Sequence, residues 1–114
     1  MKTLRLLNLY CDKSKEYDNN TPKFDKVFLA VENGISHIFG PESMMGGSEW
    51  KVNADVQFNK QAKISFFDED LIRNLSTTKN FRNYIIEEKE VHKREHTINF
   101  TGNNANYILT FEII

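Results

Sequence analysis

The chain has 114 residues, 39% of them hydrophobic, with nine Phe, four Tyr and one Trp. This length predicts one domain, residues 1–114, and the apolar content is enough for a packed core, which excludes a disordered chain. Fifteen basic and sixteen acidic residues leave a net charge of -1, which excludes an overall field that attracts nucleic acid or an anionic membrane. A single cysteine, Cys11, excludes an internal disulfide and a cysteine-rich zinc site.

The amino-terminal segment does not have the pattern of a leader peptide. Arg5 and Asn8 interrupt its apolar run, and bulky Tyr10 stands where a small residue should precede a cleavage point. No stretch approaches the roughly 18 apolar residues of a transmembrane helix. We therefore expect neither a signal peptide nor a membrane span, and the cytoplasm is the default location.

The first predicted strand has an irregular alternation. Leu4 and Leu6 share one face, whereas Leu7 and Leu9 share the other. This slip predicts a β-bulge or burial on both faces. The polar segment that follows, residues 12–24, is typical of a loop.

Later segments alternate more regularly and are separated by turn residues. Asn33-Gly34 predicts a tight hairpin, and the second arm of that hairpin is expected to end at Gly40-Pro41. Residues 50–58 show the clearest alternation, with one apolar face and one polar face. The predicted strands are residues 3–10, 25–32, 35–39, 50–58, 62–67, 81–86, 96–100 and 107–113.

Eight short strands joined by polar turns predict an all-β fold, an eight-stranded antiparallel β-sandwich. Its core is expected to be formed by the large apolar residues of the alternating segments. These are Val27, Leu29, Val31, Trp50, Val52, Val56, Phe58, Ile64, Phe66, Ile98, Phe100, Leu109 and Phe111.

The unusual connections are expected to gather at one end of the sandwich, because each strand reverses the direction of the chain. These connections are residues 12–24, 40–48, 68–79 and 101–106, which hold the long, Asp/Asn-rich and Gly-rich material. Long loops on a rigid scaffold are where binding usually resides. The end with these loops is therefore the predicted binding end.

An acidic triplet, Asp68-Glu69-Asp70, directly follows the apolar strand that begins near Ile64. Side chains two apart in an extended chain point the same way, so Asp68 and Asp70 are expected on one side. Their repulsion requires compensation by water, by basic side chains or by a hard cation that takes oxygen ligands. The predicted topology allows Asp18 and Asp25 to face this pair, and a solvated acidic turn is the alternative.

These features together resemble the C2 domain, over nearly the whole chain. The similar features are a first loop with an Asp, a second Asp before a V-x-L-x-V strand, an apolar strand ending in D-x-D, and the final strand from Ala105 to Phe111. The resemblance implies an eight-stranded sandwich, which in that family often binds calcium through loop aspartates. Matched position by position, the implied ligands are Asp18, Asp25, Asp68 and Asp70.

The sequence departs from the C2 pattern where a further acidic ligand is usual. Leu75, Ser76 and Thr77 occupy that region. Calcium takes six to eight oxygen ligands, so a site without the fifth acid is expected to bind weakly. Calcium is thus the one cofactor that the resemblance suggests, and no cofactor is required by the sequence.

Two binding functions suit this sequence. The first is a metal-free interaction or assembly module that binds a protein partner through its loop rim or an edge strand, as in a bacterial or viral particle or a toxin-neutralising subunit. The alternative is a calcium-assisted module that binds a lipid surface or a protein, with Met44 and Met45 as flexible apolar contacts. Packing into the base of the loop is the other interpretation of these methionines.

An enzyme is the least favoured function. His92 and His96 are spaced for one helical face, but the Glu of the metalloprotease motif does not follow His92. No Ser or Cys has a recognisable catalytic partner. The basic clusters are short, so nucleic acid is not an expected partner. The oligomeric state and the identity of the partner are left open by the sequence.

Overall fold

The computed structural model describes residues 1–13, 17–18, 21–22, 25–68, 82–88, 95–102 and 105–114, with the backbone alone at 17, 18, 21, 22, 68, 82 and 102. Every regular element in these ranges is a β-strand. No helix among them is long and apolar enough to cross a membrane. The strands are β1 (Lys2–Lys13), β2 (Tyr17–Asp18), β3 (Thr21–Pro22), β4 (Asp25–Glu32), β5 (Ser36–Met44), β6 (Glu49–Phe58), β7 (Gln61–Asp68), β8 (Arg82–Glu87), β9 (His96–Gly102) and β10 (Ala105–Ile113).

Eight of these strands form two antiparallel four-stranded sheets, which confirms the predicted sandwich. The first sheet has the order β6-β1-β10-β9, and the second has the order β5-β4-β7-β8. The short strands β2 and β3 pair with each other inside the segment that the sequence had predicted to be a loop. The edge strands β5 and β6 lie beside each other on one flank of the sandwich, and β8 and β9 lie beside each other on the other flank.

The core lies between the inner faces of the sheets. Eleven of the predicted core residues are buried there, whereas Trp50 and Val52 are only partly buried and pack against the core from β6. Phe66 is at the centre, with its ring stacked on Phe100 at 5.2 Å and tilted against Tyr107 at 4.6 Å between centroids. Further residues complete the core beyond those predicted, namely Leu4, Leu6, Leu9, Cys11, Met44, Ala62, Ile86, Ala105, Tyr107 and Ile113.

The predicted irregularity in the first strand is a β-bulge. Leu6 pairs with Phe111 and Asn8 pairs with Thr110, so Leu7 is an extra residue in β1. The extra residue changes which positions face the core. Leu4 and Leu6 are buried before the bulge, and Leu9 and Cys11 are buried after it.

The hairpin at Asn33-Gly34 is confirmed, but its second arm does not end at Gly40-Pro41. β5 continues through these two residues to Met44, with a register shift opposite Phe28. Gly40 has φ +106°, and a Cβ at this position would lie 2.7 Å from the carbonyl oxygen of Val27. The strand therefore continues because a glycine allows the close approach that the bulge requires.

Candidate functional site

The strand ends that carry the unusual connections lie together at one end of the sandwich, as predicted, and we keep the name binding end for it. In the first sheet, the end of β1 is beside the start of β6 and the start of β10. In the second sheet, the start of β4 is beside the end of β5 and the end of β7. The cross-strand pairs that show this are Tyr10 with Glu49, Lys13 with Asn106, Asp25 with Met44, and Val27 with Asp68.

The connection between β5 and β6 joins the two sheets at this end. The amide of Gly47 donates to the carbonyl of Cys11 at 2.7 Å, and the amide of Cys11 donates to the carbonyl of Ser48 at 2.9 Å. Ser48 also closes its own turn, because its hydroxyl accepts from the amide of Met45 at 3.0 Å. This connection is thus held to β1 by backbone hydrogen bonds.

Asp25 and Tyr107 form a buried polar pair between the sheets at the same end. Asp25 is 3% exposed and Tyr107 is fully buried. The Tyr107 hydroxyl donates to Oδ2 of Asp25 at 2.5 Å. Burial, together with this hydrogen bond to Asp25, raises the pKa of Tyr107 far above its usual range, so the hydroxyl keeps its proton at every ordinary pH.

The third member of this cluster is the Cys11 thiol. Cys11 is fully buried, and burial raises the pKa of its thiol, an effect that the hydrogen bond with Tyr107 partly offsets. A thiolate is the reactive form of cysteine, so this environment disfavours a nucleophile. Sequence patterns had not indicated this cluster. Its one signal is that Tyr107 has a core position in the alternation and therefore needs a buried partner for its hydroxyl.

The four predicted calcium ligands are only partly described. Asp25 lies at the start of β4, and the backbone of Asp68 lies on the neighbouring strand, opposite Val27. The backbone of Asp18 lies in β2. The side chains of Asp18 and Asp68, and all of Asp70, lie outside the described residues, among which no group of three or more His, Cys, Asp or Glu side chains is arranged to hold a metal ion.

Asp25 is the one predicted ligand whose fit to a cation can be tested by its contacts. Its Oδ2 accepts the Tyr107 hydroxyl, and its side chain is buried between the sheets. A ligand oxygen must be free to contact the ion. Asp25 therefore has a structural role through Oδ2, and its role as a calcium ligand with Asp18, Asp68 and Asp70 stays a prediction.

The two predicted contact methionines differ in exposure. Met44 is 1% exposed and belongs to the core, so its side chain is not available to a partner. This matches the alternative interpretation, in which the methionine packs into the base of the loop. Met45 is half-buried, and a partner contact at this position remains a prediction.

A second candidate site lies on the flank where the edge strands β5 and β6 meet. Residues of both strands and of the adjoining turns line a groove of about 420 Å³ there. Ile35 lies on its wall and is 70% exposed. His37 also lines it, and among the described residues no hydrogen-bond partner lies within reach of its buried Nε2 atom.

The two antiparallel four-stranded sheets define the class of the fold, an all-β sandwich. No protein-family model matches the chain, and no curated protein sequence matches it.

Solved structures of human GIVD cytosolic phospholipase A2 resemble this fold. The complex with methyl gamma-linolenyl fluorophosphonate inhibitor and terbium chloride is 13% identical, with a TM-score of 0.52, and the alignment covers 98% of this chain and 16% of that chain. A second structure of human GIVD cytosolic phospholipase A2 is 14% identical, with a TM-score of 0.50, and the alignment covers the same shares of the two chains. The chain thus spans about a sixth of these structures, and the similarity concerns the fold alone.

Proposed function

We propose that this protein is a non-enzymatic interaction module whose protein partner adds a segment to the edge strand β5. The observation that carries the proposal is the position of β5, at the edge of the second sheet and beside the groove on that flank. An edge strand offers backbone donors and acceptors to an added strand, and neighbouring pockets take alternate side chains of that strand.

The part of β5 that suits strand addition is short. A register shift at Gly40 and a proline at position 41, which has no N–H group, interrupt the regular ladder in the second half of β5. Residues 36–39 keep a regular register with β4. Four residues of this edge, with the exposed Ile35 at their start, form the proposed contact.

The other edge on this flank is less suited to pairing. β6 carries the charged residues Glu49, Lys51 and Asp55, and its Asn53 has φ +47°, which disturbs a regular extended edge. Charged residues and local kinks are the usual means by which edge strands avoid pairing. The contrast between the two edges therefore favours β5.

The biological settings expected from the sequence, a bacterial or viral particle or a toxin-neutralising subunit, remain expectations, as does the cytoplasmic location. The buried Cys11 thiol with its raised pKa supports a role other than nucleophilic catalysis.

The test begins with crosslinking and mass spectrometry of the native protein to name its partner. Hydrogen exchange of the purified complex then measures the protection of backbone amides. We expect the amides of residues 36–39 to become protected and those of β6 to exchange at an unchanged rate. Ile35→Glu should weaken the complex, whereas Tyr10→Glu, at the other end of the sandwich, should not. Protection confined to other residues would contradict the proposal.

A calcium-assisted module is the second candidate. The observation that favours it is the backbone register, which brings Asp25 and Asp68 to neighbouring strands at the binding end. One of the similar structures of human GIVD cytosolic phospholipase A2 is a complex with terbium chloride. In this candidate, Asp18, Asp25, Asp68 and Asp70 hold the ion, and Met45 contacts a lipid surface or a protein.

A further inference from the structure

The two outer faces of the sandwich differ in chemistry. At the centre of the first sheet's outer face, Arg5 donates to Oδ1 of Asp55 on β6 at 2.9 Å and to Oε1 of Glu112 on β10 at 3.2 Å. These ion pairs cross three neighbouring strands, so this face has charged groups at its centre.

The outer face of the second sheet has apolar side chains at its centre. Phe28 and Phe67 are paired across β4 and β7, and their rings stack at 5.3 Å between centroids. Ile38 on β5 is 62% exposed and Ile85 on β8 is 54% exposed. Ala30 lies between them on β4. We call these five residues, Phe28, Ala30, Ile38, Phe67 and Ile85, the apolar outer face.

The size of the apolar outer face is that of a weak interface. With strands about 4.8 Å apart and about 3.3 Å per residue, three rows of side chains on four strands cover on the order of 400 Å². The apolar outer face is part of this area, because the same rows also hold Ser36, Glu32, Lys63, Ser65 and Asn83. Two such faces in contact bury on the order of 800 Å², which is the size of a weak, transient interface.

The charges beside the apolar outer face identify the partner. Glu32 and Lys63 are paired across β4 and β7 in the next part of the ladder, with 3.3 Å between Lys63 Nζ and Glu32 Oε2. We call Glu32 and Lys63 the border of the apolar outer face. The border carries one negative and one positive charge, so it does not have the excess of basic residues that binding to an anionic lipid surface requires. A surface that carries opposite charges side by side complements itself when one copy is turned by 180°.

We propose that the apolar outer face binds the same face of a second copy of this chain, about a two-fold axis that runs between β4 and β7 and parallel to them. This axis places each β4 residue over the β7 residue that pairs with it in its own sheet. Glu32 then lies over Lys63 of the second copy, and Phe28 lies over Phe67 of the second copy. Ala30 and Ser65, which are 7% and 5% exposed, lie beneath the middle of the contact, while Ile38 and Ile85 lie over Asn83 and Ser36 of the second copy.

This dimer uses side chains of the outer face, whereas the proposed contact uses the backbone edge of β5, and Ile38 is the one residue that belongs to both. The backbone edge of β5 stays available on the flank while the outer face of the sheet is covered. The dimer therefore goes beyond the proposed function and does not depend on it.

The first test is sedimentation velocity of the purified full chain over a concentration series. We expect a reversible monomer–dimer equilibrium, and we expect Ile38→Glu and Ile85→Glu each to raise its dissociation constant about tenfold or more, because each removes apolar contact area and buries a charge between the two copies. Tyr10→Glu, at an exposed position in the other sheet, is the matched control and should leave the dissociation constant unchanged. A chain that is monomeric up to about 1 mM overturns the proposal, as does a dimer that both Ile variants leave unchanged.

The second test uses the border charges to read the two-fold geometry. Lys63→Glu places two acids on the border and Glu32→Lys places two bases there, so each variant alone should dimerise more weakly than the original chain. An equal mixture should form heterodimers, because position 32 of each copy then meets the opposite charge at position 63 of the other. Circular dichroism of each variant establishes that both are folded. A mixture that associates no more than the separate variants would overturn the proposed axis.

Discussion

At the scale of single residues, the buried pair of Asp25 and Tyr107 joins the two sheets by a hydrogen bond. The Tyr107 hydroxyl donates to a carboxylate that is 3% exposed, so removal of the hydroxyl leaves a buried acceptor without this donor. We expect Tyr107→Phe to lower the free energy of unfolding by about 1.5 to 3 kcal/mol, the range for hydrogen bonds to charged groups. Urea titration measures this loss. The control is Tyr84→Phe on the edge strand β8, where the side chain is 40% exposed and the loss should be much smaller.

The same tyrosine predicts a pH dependence. Its pKa is raised in the folded state, because the phenol is buried and donates to Asp25. Its contribution to stability is therefore complete below the unfolded pKa of about 10, and is lost as the pH rises above that value. Between pH 10 and pH 11.5, the free energy of unfolding of the original chain should fall by up to about 1.4 kcal/mol per pH unit more than that of Tyr107→Phe. Equal slopes for the two proteins would contradict this assignment.

At the scale of elements, alternation in the sequence was enough to predict the main strands but not the course of β5. Gly40-Pro41 has the composition of a turn, and local chemistry alone indicates that the strand ends there. The strand continues because the bulge opposite Phe28 lets Gly40 approach β4. The slip at Leu6-Leu7 was predictable, since an extra residue exchanges the faces on which leucines appear.

The bulge in β5 gives a prediction about two glycines. Gly40 and Gly34 both have φ above 100°, so alanine is strained at either position. A Cβ at Gly40 would also lie 2.7 Å from the carbonyl oxygen of Val27, whereas a Cβ at Gly34 has no atom within 4 Å among the described residues. Gly40→Ala should therefore destabilise the protein more than Gly34→Ala, by about 1 kcal/mol or more beyond the shared strain. Thermal melts of the two variants, compared with the original chain, measure the difference, and equal losses would exclude a tight approach at Gly40.

At the scale of the whole molecule, the sandwich and its binding end followed from strand count and reversal of the chain, whereas the contacts inside that end did not. Asp25 and Tyr107 are 82 positions apart, and nothing local relates them. Met44 was ambiguous for a similar reason, since the register of β5 with β4 decides that it enters the core. The apolar outer face was equally hidden, because Phe28, Ile38 and Phe67 belong to three strands whose alignment only the sheet order shows.

The charge of the binding end gives the last prediction, which concerns the whole fold. If Asp18, Asp25, Asp68 and Asp70 converge there, their repulsion destabilises the protein, and a cation that binds only the folded chain raises its melting temperature. A dissociation constant of about 10⁻⁴ to 10⁻³ M, expected for an incomplete site, corresponds to about 1.4 to 2.7 kcal/mol at about 10 mM calcium. That energy is a shift of several degrees for a domain of this size, which a thermal melt resolves.

The melt is measured with calcium, with magnesium and with a chelator, on the original chain and on Asp68→Asn/Asp70→Asn. A rise specific to calcium that is lost in this double variant supports the site, because general screening of surface charge does not distinguish calcium from magnesium at equal concentration. The matched control is Glu32→Gln/Glu95→Gln, which removes two acidic charges near the opposite end of the sandwich and should keep the calcium effect. Identical melts in all three solutions would exclude the calcium candidate and would leave the protein-binding module as the proposed function.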